Sequence, residues 1–291
     1  MDYFAQQAIN AVQLGSIYAL IALGYSMVYG VLVMINFAHG DVFMVSAFLC
    51  FLLLLFVPAP FVVALIVVML ATALLGVCIE RLAYRPLRNA PRVSSIITAL
   101  GCGLVIQNTT LSLSPYSQRM PELFHSKTWQ FGEITVSSLQ VLIVGVSVGL
   151  MLALDFFIRR TRYGLAMRAI AQDRLSVPLM GIPVNTIISM TFAIGAGLGG
   201  AAGVLYGLAY PVIGASMGML VGWKAFVAAV IGGIGNMRGA VLGGYMLGAV
   251  EVLTVTVLPS TYRDLVAYSL LLVILIFKPH GLLGRPSVQK V

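Results

Sequence analysis

Charge is what this chain has least of. Of its 291 residues, 9% are Asp, Glu, Lys or Arg, while 60% are apolar. Soluble domains carry about 25% charged residues, so a water-soluble globule of this composition could not cover its own surface with polar groups. Residues 42–79, 93–118, 134–154 and 175–223 contain no charged side chain at all. Cysteine is scarce too. Cys50, Cys78 and Cys102 fall inside apolar runs, an odd number without ligand spacing, which argues against a disulfide framework and a structural metal site. There is no Gly-x-x-x-x-Gly-Lys-[Ser/Thr] loop and no His-Glu-x-x-His pair. Nucleotide hydrolysis and zinc-peptidase chemistry therefore lack their residues, and neither a catalytic set nor a metal site is expected. The opening Met1-Asp2-Tyr3-Phe4 has no basic stretch, so no cleaved leader is expected.

What is present is hydrocarbon in long blocks. A spanning helix needs roughly 20 apolar residues. Apolar segments run over 8–33, 41–57, 61–79, 93–113, 137–158, 185–207, 222–235, 240–258 and 264–277. They predict an all-α polytopic membrane protein with about nine crossings, eight to ten being the range. A single transmembrane domain over 1–291 is expected, with no second soluble domain. The net charge of +8 is a topology signal rather than a nucleic-acid footprint. Arg81, Arg85, Arg88 and Arg92 share one connection. Arg159, Arg160, Arg162, Arg168 and Arg174 share another, and Lys278, Arg285 and Lys290 lie in the tail. Lys and Arg accumulate in cytoplasmic loops. That rule places 80–92, the loop 159–184 and the C-terminus inside, and the N-terminus and the loop 114–136 outside. Arg119, Lys127 and Arg263 then face out, and Lys224 and Arg238 are assigned to short turns.

Glycine is abundant at 30 residues. Gly195, Gly197, Gly199, Gly200 and Gly203 crowd one segment, as small residues do where membrane helices approach closely. Asn36-Phe37-Ala38-His39-Gly40-Asp41 and Gly232-Gly233-Ile234-Gly235-Asn236 are Asn/Gly turns near opposite ends of the chain. They suit discontinuous helices and hint at two related halves. Asn36, His39 and Asn236 are accordingly candidates for a solute path, although a His in such a turn also serves simply to satisfy backbone carbonyls. Asp41 reads first as a cap of the following helix. Glu80 and Asp155 sit beside arginines, where charge pairing accounts for them. Glu251 falls well inside 240–258, and an ionisable residue at that depth is a functional candidate by default. Over 165–175, Leu165, Ala169, Ile170 and Leu175 share one side, with Arg168, Gln172 and Asp173 on the other. The segment fits either a headgroup anchor or a docking surface for a cytosolic partner.

The chain also resembles a known family. Gly15 through Gly30, followed by Asn36-Phe37-Ala38-His39-Gly40-Asp41, is similar to the opening of permease subunits, of the LivH type, in bacterial ABC importers for branched-chain amino acids. Arg168-Ala169-Ile170-Ala171-Gln172-Asp173 with Leu179-Met180-Gly181-Ile182 resembles their cytosolic signature. Gly232-Gly233-Ile234-Gly235-Asn236 resembles their late glycine motif, and Phe277-Lys278-Pro279-His280-Gly281-Leu282-Leu283-Gly284 their ending. The resemblance implies import of leucine, isoleucine and valine across a bacterial cytoplasmic membrane. It implies a LivM-like second permease (or a second copy), two cytosolic ATPase subunits that bind the ATP, and a periplasmic substrate-binding protein. It implies two inverted halves with broken helices. It leaves no cofactor to this chain. Arg168, Ala169, Gln172, Asp173 and Gly181 are then expected to form the ATPase-coupling element. Relatives with the same pattern serve urea, amides and other amino acids. A self-contained carrier is the alternative class.

In a variant without native cysteines, cysteines at Asn89 and Asp173 should resist impermeant thiol reagents on intact cells, and one at Ser126 should react. Labelling of position 173 from outside would reverse the orientation.

Overall fold

The computed structural model describes residues 2–88, 90–121, 126–174 and 176–284. Leu175, Arg285 and Lys290 lie outside the described residues. The helices are α1 (Asp2–Leu32), α2 (His39–Phe56), α3 (Phe61–Ile79), α4 (Arg92–Leu113), α5 (Ser138–Arg160), α6 (Arg162–Gln172), α7 (Val184–Ala209), α8 (Met217–Gly232), α9 (Met237–Val257) and α10 (Arg263–Phe277). A π-helical turn, Glu80–Tyr84, extends α3, and a 3-10 turn, Ser260–Tyr262, leads into α10. Among the described residues, eight helical runs are long and apolar enough to cross a bilayer. The short α8 is a ninth apolar helix. The protein is a multi-pass, all-α membrane protein. The two shortest segments of the sequence reading, 222–235 and 264–277, correspond to α8 and α10.

Helix ends follow local chemistry. Pro60, Pro91 and Pro183 each immediately precede a helix, where a missing N–H and a fixed φ do no harm. Ser137 and Gln140 close a capping box at the start of α5, and the Thr161 hydroxyl accepts from Gly164 N at the start of α6. The segment 114–136 is partly β. Strands β2 (Thr128–Phe131) and β3 (Ile134–Ser137) form a hairpin with Thr128 opposite Ser137. Gly132, at φ +68°, makes its turn. Strand β1 (Gln118–Arg119) pairs with β4 (Val212–Ile213), between α7 and α8. Gln6 of α1 accepts from Thr135 N at 2.8 Å. The hairpin, the start of α1 and the α7–α8 connection thus share one end of the bundle. The α6 region and the tail lie at the other.

The bundle is built around α1 and α7. Their most apolar windows are 83% and 78% buried, against 11% for α4 and α10, so the latter present apolar surface to lipid or a partner. α1 packs most extensively on α9, and α3 on α7. Glycine makes these approaches possible. A Cβ at Gly248 would stand 2.5 Å from Gly15 N, and one at Gly244 2.5 Å from Ala19 Cα. Gly203 of α7 faces Ser46 and the Phe43 carbonyl of α2. The glycines crowded in α7 are therefore close-packing positions.

The two Asn/Gly runs are connections, 33–38 and 233–236, rather than interruptions within a helix. Depth is what sets the first apart. After α1 the chain doubles back, with Val33 in the left-handed region at φ 56°. α2 therefore starts beside Gly24, Tyr25 and Gly199, about two turns before the end of α1. Its first turn crosses the first turns of α8, Gly40 against Gly222 and Met44 against Gly218, in antiparallel sense.

Gly203→Val should lower the stability of the purified protein by about 1–3 kcal/mol, because a backbone carbonyl blocks the new side chain. Gly149→Val, facing open space, should stay within about 0.5 kcal/mol. Thermal melting in detergent compares them.

Candidate functional site

Polar side chains gather in four places. The first is a charge network toward the hairpin end, buried at Glu251 and Lys224 and open to the surface at Arg263 and Asp264. Glu251, on α9, has a fully buried side chain. The Tyr18 hydroxyl of α1 donates to its Oε2 at 3.0 Å. Lys224 Nζ stands 3.1 Å from Glu251 Oε1 and 2.6 Å from Asp264 Oδ1. Arg263 Nε approaches Glu251 Oε2 at 3.9 Å. The sequence reading put Lys224 at a short turn. It lies midway along α8 instead, because that helix starts at Met217, and it faces the carboxylates of α9 and α10. Arg263, half-exposed, also approaches Glu251 from the start of α10. Each ion offsets the desolvation of its neighbours, and removing one partner strands the rest.

A cavity of about 340 Å³ adjoins this network, lined by Tyr3, Gln7, Asn10, Gln13, Tyr210 and Arg263 among others. The three amides recur at every third position of α1 and form a polar stripe along its first half. Composition concealed this vestibule; the spacing of the amides was its only signal.

The second place is the α1–α2 connection. Asn36 Oδ1 accepts from the Tyr84 hydroxyl at 3.1 Å, tying the turn to the end of α3. His39 is buried, with its ring edge-on to Tyr25 at 4.7 Å between centroids. It occupies the notch left by Gly24 and Gly199. Asp41 makes no cap hydrogen bond, since the N-cap of α2 is Ala38.

The third place is the α8–α9 connection. Asn236 caps α9, its Oδ1 accepting from Arg238 N at 3.1 Å and Gly239 N at 3.3 Å. Its amide nitrogen donates to Leu283 O at 2.7 Å. Leu282 N and Leu283 N donate to Ile231 O and Gly232 O at 2.9 and 3.0 Å. The late glycine motif and the chain ending therefore dock on each other. Gly233, Gly235 and Gly281, at φ +104°, +88° and +77°, permit the fit. Asn236 lies away from the network around Glu251, so the candidate path residues form no single cluster.

The fourth place surrounds α6. Gly164, Ala166, Met167 and Ile170 are its buried face. Leu165 is exposed along with Arg168 and Gln172, which corrects the sequence reading. The body contacts choose the face that holds Gly164, because Gly164 abuts the Ile158 backbone. Ala169 is half-buried. Asp173 ends the helix, and its Oδ1 accepts from Ser176 N at 3.2 Å. A 3-10 turn, Val177–Met180, follows and closes on Gly181 at φ 74°. Nearby, Glu80 is fully buried, paired with Arg88 and bonded by the Ser189 hydroxyl. Arg88 also donates to Asn185 on α7. Burial pulls the Arg88 guanidinium below its ordinary pKa, and the Glu80 carboxylate pushes it back up. Asp155 pairs with Arg159 at 2.8 Å on the exposed surface.

Gly214-Ala215-Ser216-Met217-Gly218 has the spacing of a hydrolase nucleophile turn. Ser216, however, is exposed in an ordinary right-handed conformation before α8, and no described histidine or carboxylate bonds to it.

Residues 7–275 match the family described as the branched-chain amino acid transport system permease component. The chain belongs to that family. It is 42% identical to BraD, a high-affinity branched-chain amino acid transport permease of Pseudomonas aeruginosa, over 99% of this chain and 98% of the relative. LivH of Escherichia coli K12, also a high-affinity branched-chain amino acid transport permease, is 42% identical over 99% and 98% of the two chains. A probable LivH of Methanocaldococcus jannaschii is 26% identical over 94% and 91%. No solved structure matches the permease.

Lys224→Met alone should destabilise the permease by about 3–5 kcal/mol, because it leaves Glu251 buried beside a weaker partner. Lys224→Met with Glu251→Gln should recover much of that loss. Melting curves of the two variants decide whether the network acts as a unit.

Proposed function

We propose that this permease is one membrane subunit of an ATP-driven importer for branched-chain amino acids. Its near full-length likeness to BraD and LivH carries the reading. In this reading the N-terminus and the hairpin face the periplasm, and the C-terminal tail lies in the cytosol. A periplasmic binding protein delivers the solute to the vestibule bounded by Gln7, Asn10, Gln13 and Arg263. A second permease, LivM-like or a second copy, covers apolar surface such as that of α4 or α10. Two cytosolic ATPase subunits bind and hydrolyse the ATP. Asn36, His39, Asn236 and Glu251 act along the path, Glu251 beneath the vestibule and His39 and Asn36 where α2 starts inside the bundle. Asn236 acts indirectly, holding the α8–α9 turn on the tail.

The coupling element is α6 with the turn after it. A partner moves a permease only through a contact that differs between states. Arg168, Gln172 and Asp173 are exposed beside Leu165, Leu179 and Met180, a mixed polar and apolar surface of the kind that docks a protein. Ala169 sets how closely the partner approaches, and Gly181 returns the chain to α7. The Glu80–Arg88–Asn185 cluster joins the start of α7 to the end of α3, so a push on the loop reaches the core helix.

The whole importer, reconstituted with binding protein and ATPases, should take up L-leucine with ATP, and this chain alone should show neither uptake nor hydrolysis. Proton-driven uptake by the chain alone would support the carrier reading instead. Ala169→Trp should reduce ATPase co-purification or uncouple hydrolysis from uptake, at a cost of about 1–3 kcal/mol in docking. Asp173→Lys should do the same and also loosen the Ser176 turn. Normal ATPase binding and uptake in both variants would remove α6 as the coupling element.

A further inference from the structure

Asp41 is a buried carboxylate. It is 9% exposed, and no described residue gives its side chain a hydrogen bond or ion pair. Space has been left around it. It sits between Gly103 of α4 and Gly218 of α8, and a Cβ at Gly218 would come within 2.9 Å of Asp41 Oδ1. An unpaired acid at this depth is costly unless something meets it. Beside it lies a cavity of about 110 Å³, whose walls include Tyr25, Phe37, Gln107 and Trp223. One water needs about 10–15 Å³ of such space, so a solute of several heavy atoms has room.

The walls select the chemistry. The Phe37 and Trp223 rings lie 5.4 Å apart, and Phe226 stands behind both at 5.6 and 6.0 Å. Aromatic faces attract cations, and a carboxylate accepts strong hydrogen bonds from an ammonium. A second anion placed against Asp41 would be repelled. Gln107 supplies an amide on the opposite helix, able to donate to a carboxylate held further from Asp41.

We propose that Asp41, with Tyr25, Phe37 and Trp223, binds the ammonium group of the solute on its way through the permease. This rests on the amino-acid permease reading above and adds a recognition site separate from the vestibule and from Glu251. A purely structural role, with the carboxylate balancing the helix N-termini of α2 and α8 that meet here, would affect stability and leave solute binding unchanged.

The test uses the purified permease–ATPase complex and equilibrium binding of radiolabelled L-leucine, with 3-methylbutylamine and 4-methylpentanoate as competitors. The amine should compete and the acid should not. Asp41→Asn should weaken L-leucine binding about tenfold or more. Unchanged binding in Asp41→Asn, or equal competition by 4-methylpentanoate, overturns the site. If Asp41→Asn does not assemble, Trp223→Leu keeps the acid and removes a wall. Weaker competition by the amine then supports the site, and unchanged competition overturns it. A wild-type importer that moves no branched-chain amino acid would sink the transport reading instead, and competition between the amine and the acid against any solute it does move would still judge Asp41.

Discussion

Hydrocarbon supplies no hydrogen bonds, and every polar group in this bundle is placed under that constraint. Lys224 and Glu251 meet because neither has water to turn to. Tyr18 and Asp264 complete the set from two further helices. The network therefore joins α1, α8, α9 and α10 at one level. Loss of Lys224 strands the buried Glu251 carboxylate rather than merely removing a contact, so the four helices hold their relative positions as a group.

Close packing is the second consequence. Lipid tails are as apolar as leucine, so helices associate through shape more than through hydrophobic transfer. The α1–α9 contact, where Gly15, Gly244 and Gly248 bring backbones together, shows what that requires. The same device brings the first turns of α2 and α8 together at Gly40, Gly218 and Gly222. Those glycines shape the ground around Asp41 and His39, so packing and the polar interior are one design.

At the end opposite the hairpin, three connections are locked by short-range chemistry. Asn236 holds the tail, Glu80 holds Arg88, and Asp173 holds Ser176. Between them the exposed face of α6 is left free of body contacts. The proposed coupling to a cytosolic subunit rests on that exposed face, and α7 is the element a push there would reach first.

Much of this was legible in the sequence. Length and hydropathy gave nine apolar helices, all but α1 and α8 close to their observed bounds, because a bilayer-spanning run is a local property. Gly181 as the turn after α6 and Glu251 as an ionisable group within a helix were visible for the same reason. The face of α6 was misread at Leu165, since an eleven-residue helix with apolar residues on several sides does not reveal which side meets the body. Partnership was not legible either. Lys224, Glu251 and Asp264 lie on three different helices, and their meeting depends on how those helices rotate and cross. The composition of this chain by itself determined that it lies in a membrane and where its helices run. Only the tertiary structure decided which charges neutralise one another and which, like Asp41, remain open, because pairing depends on distances of a few ångströms between segments far apart in the chain.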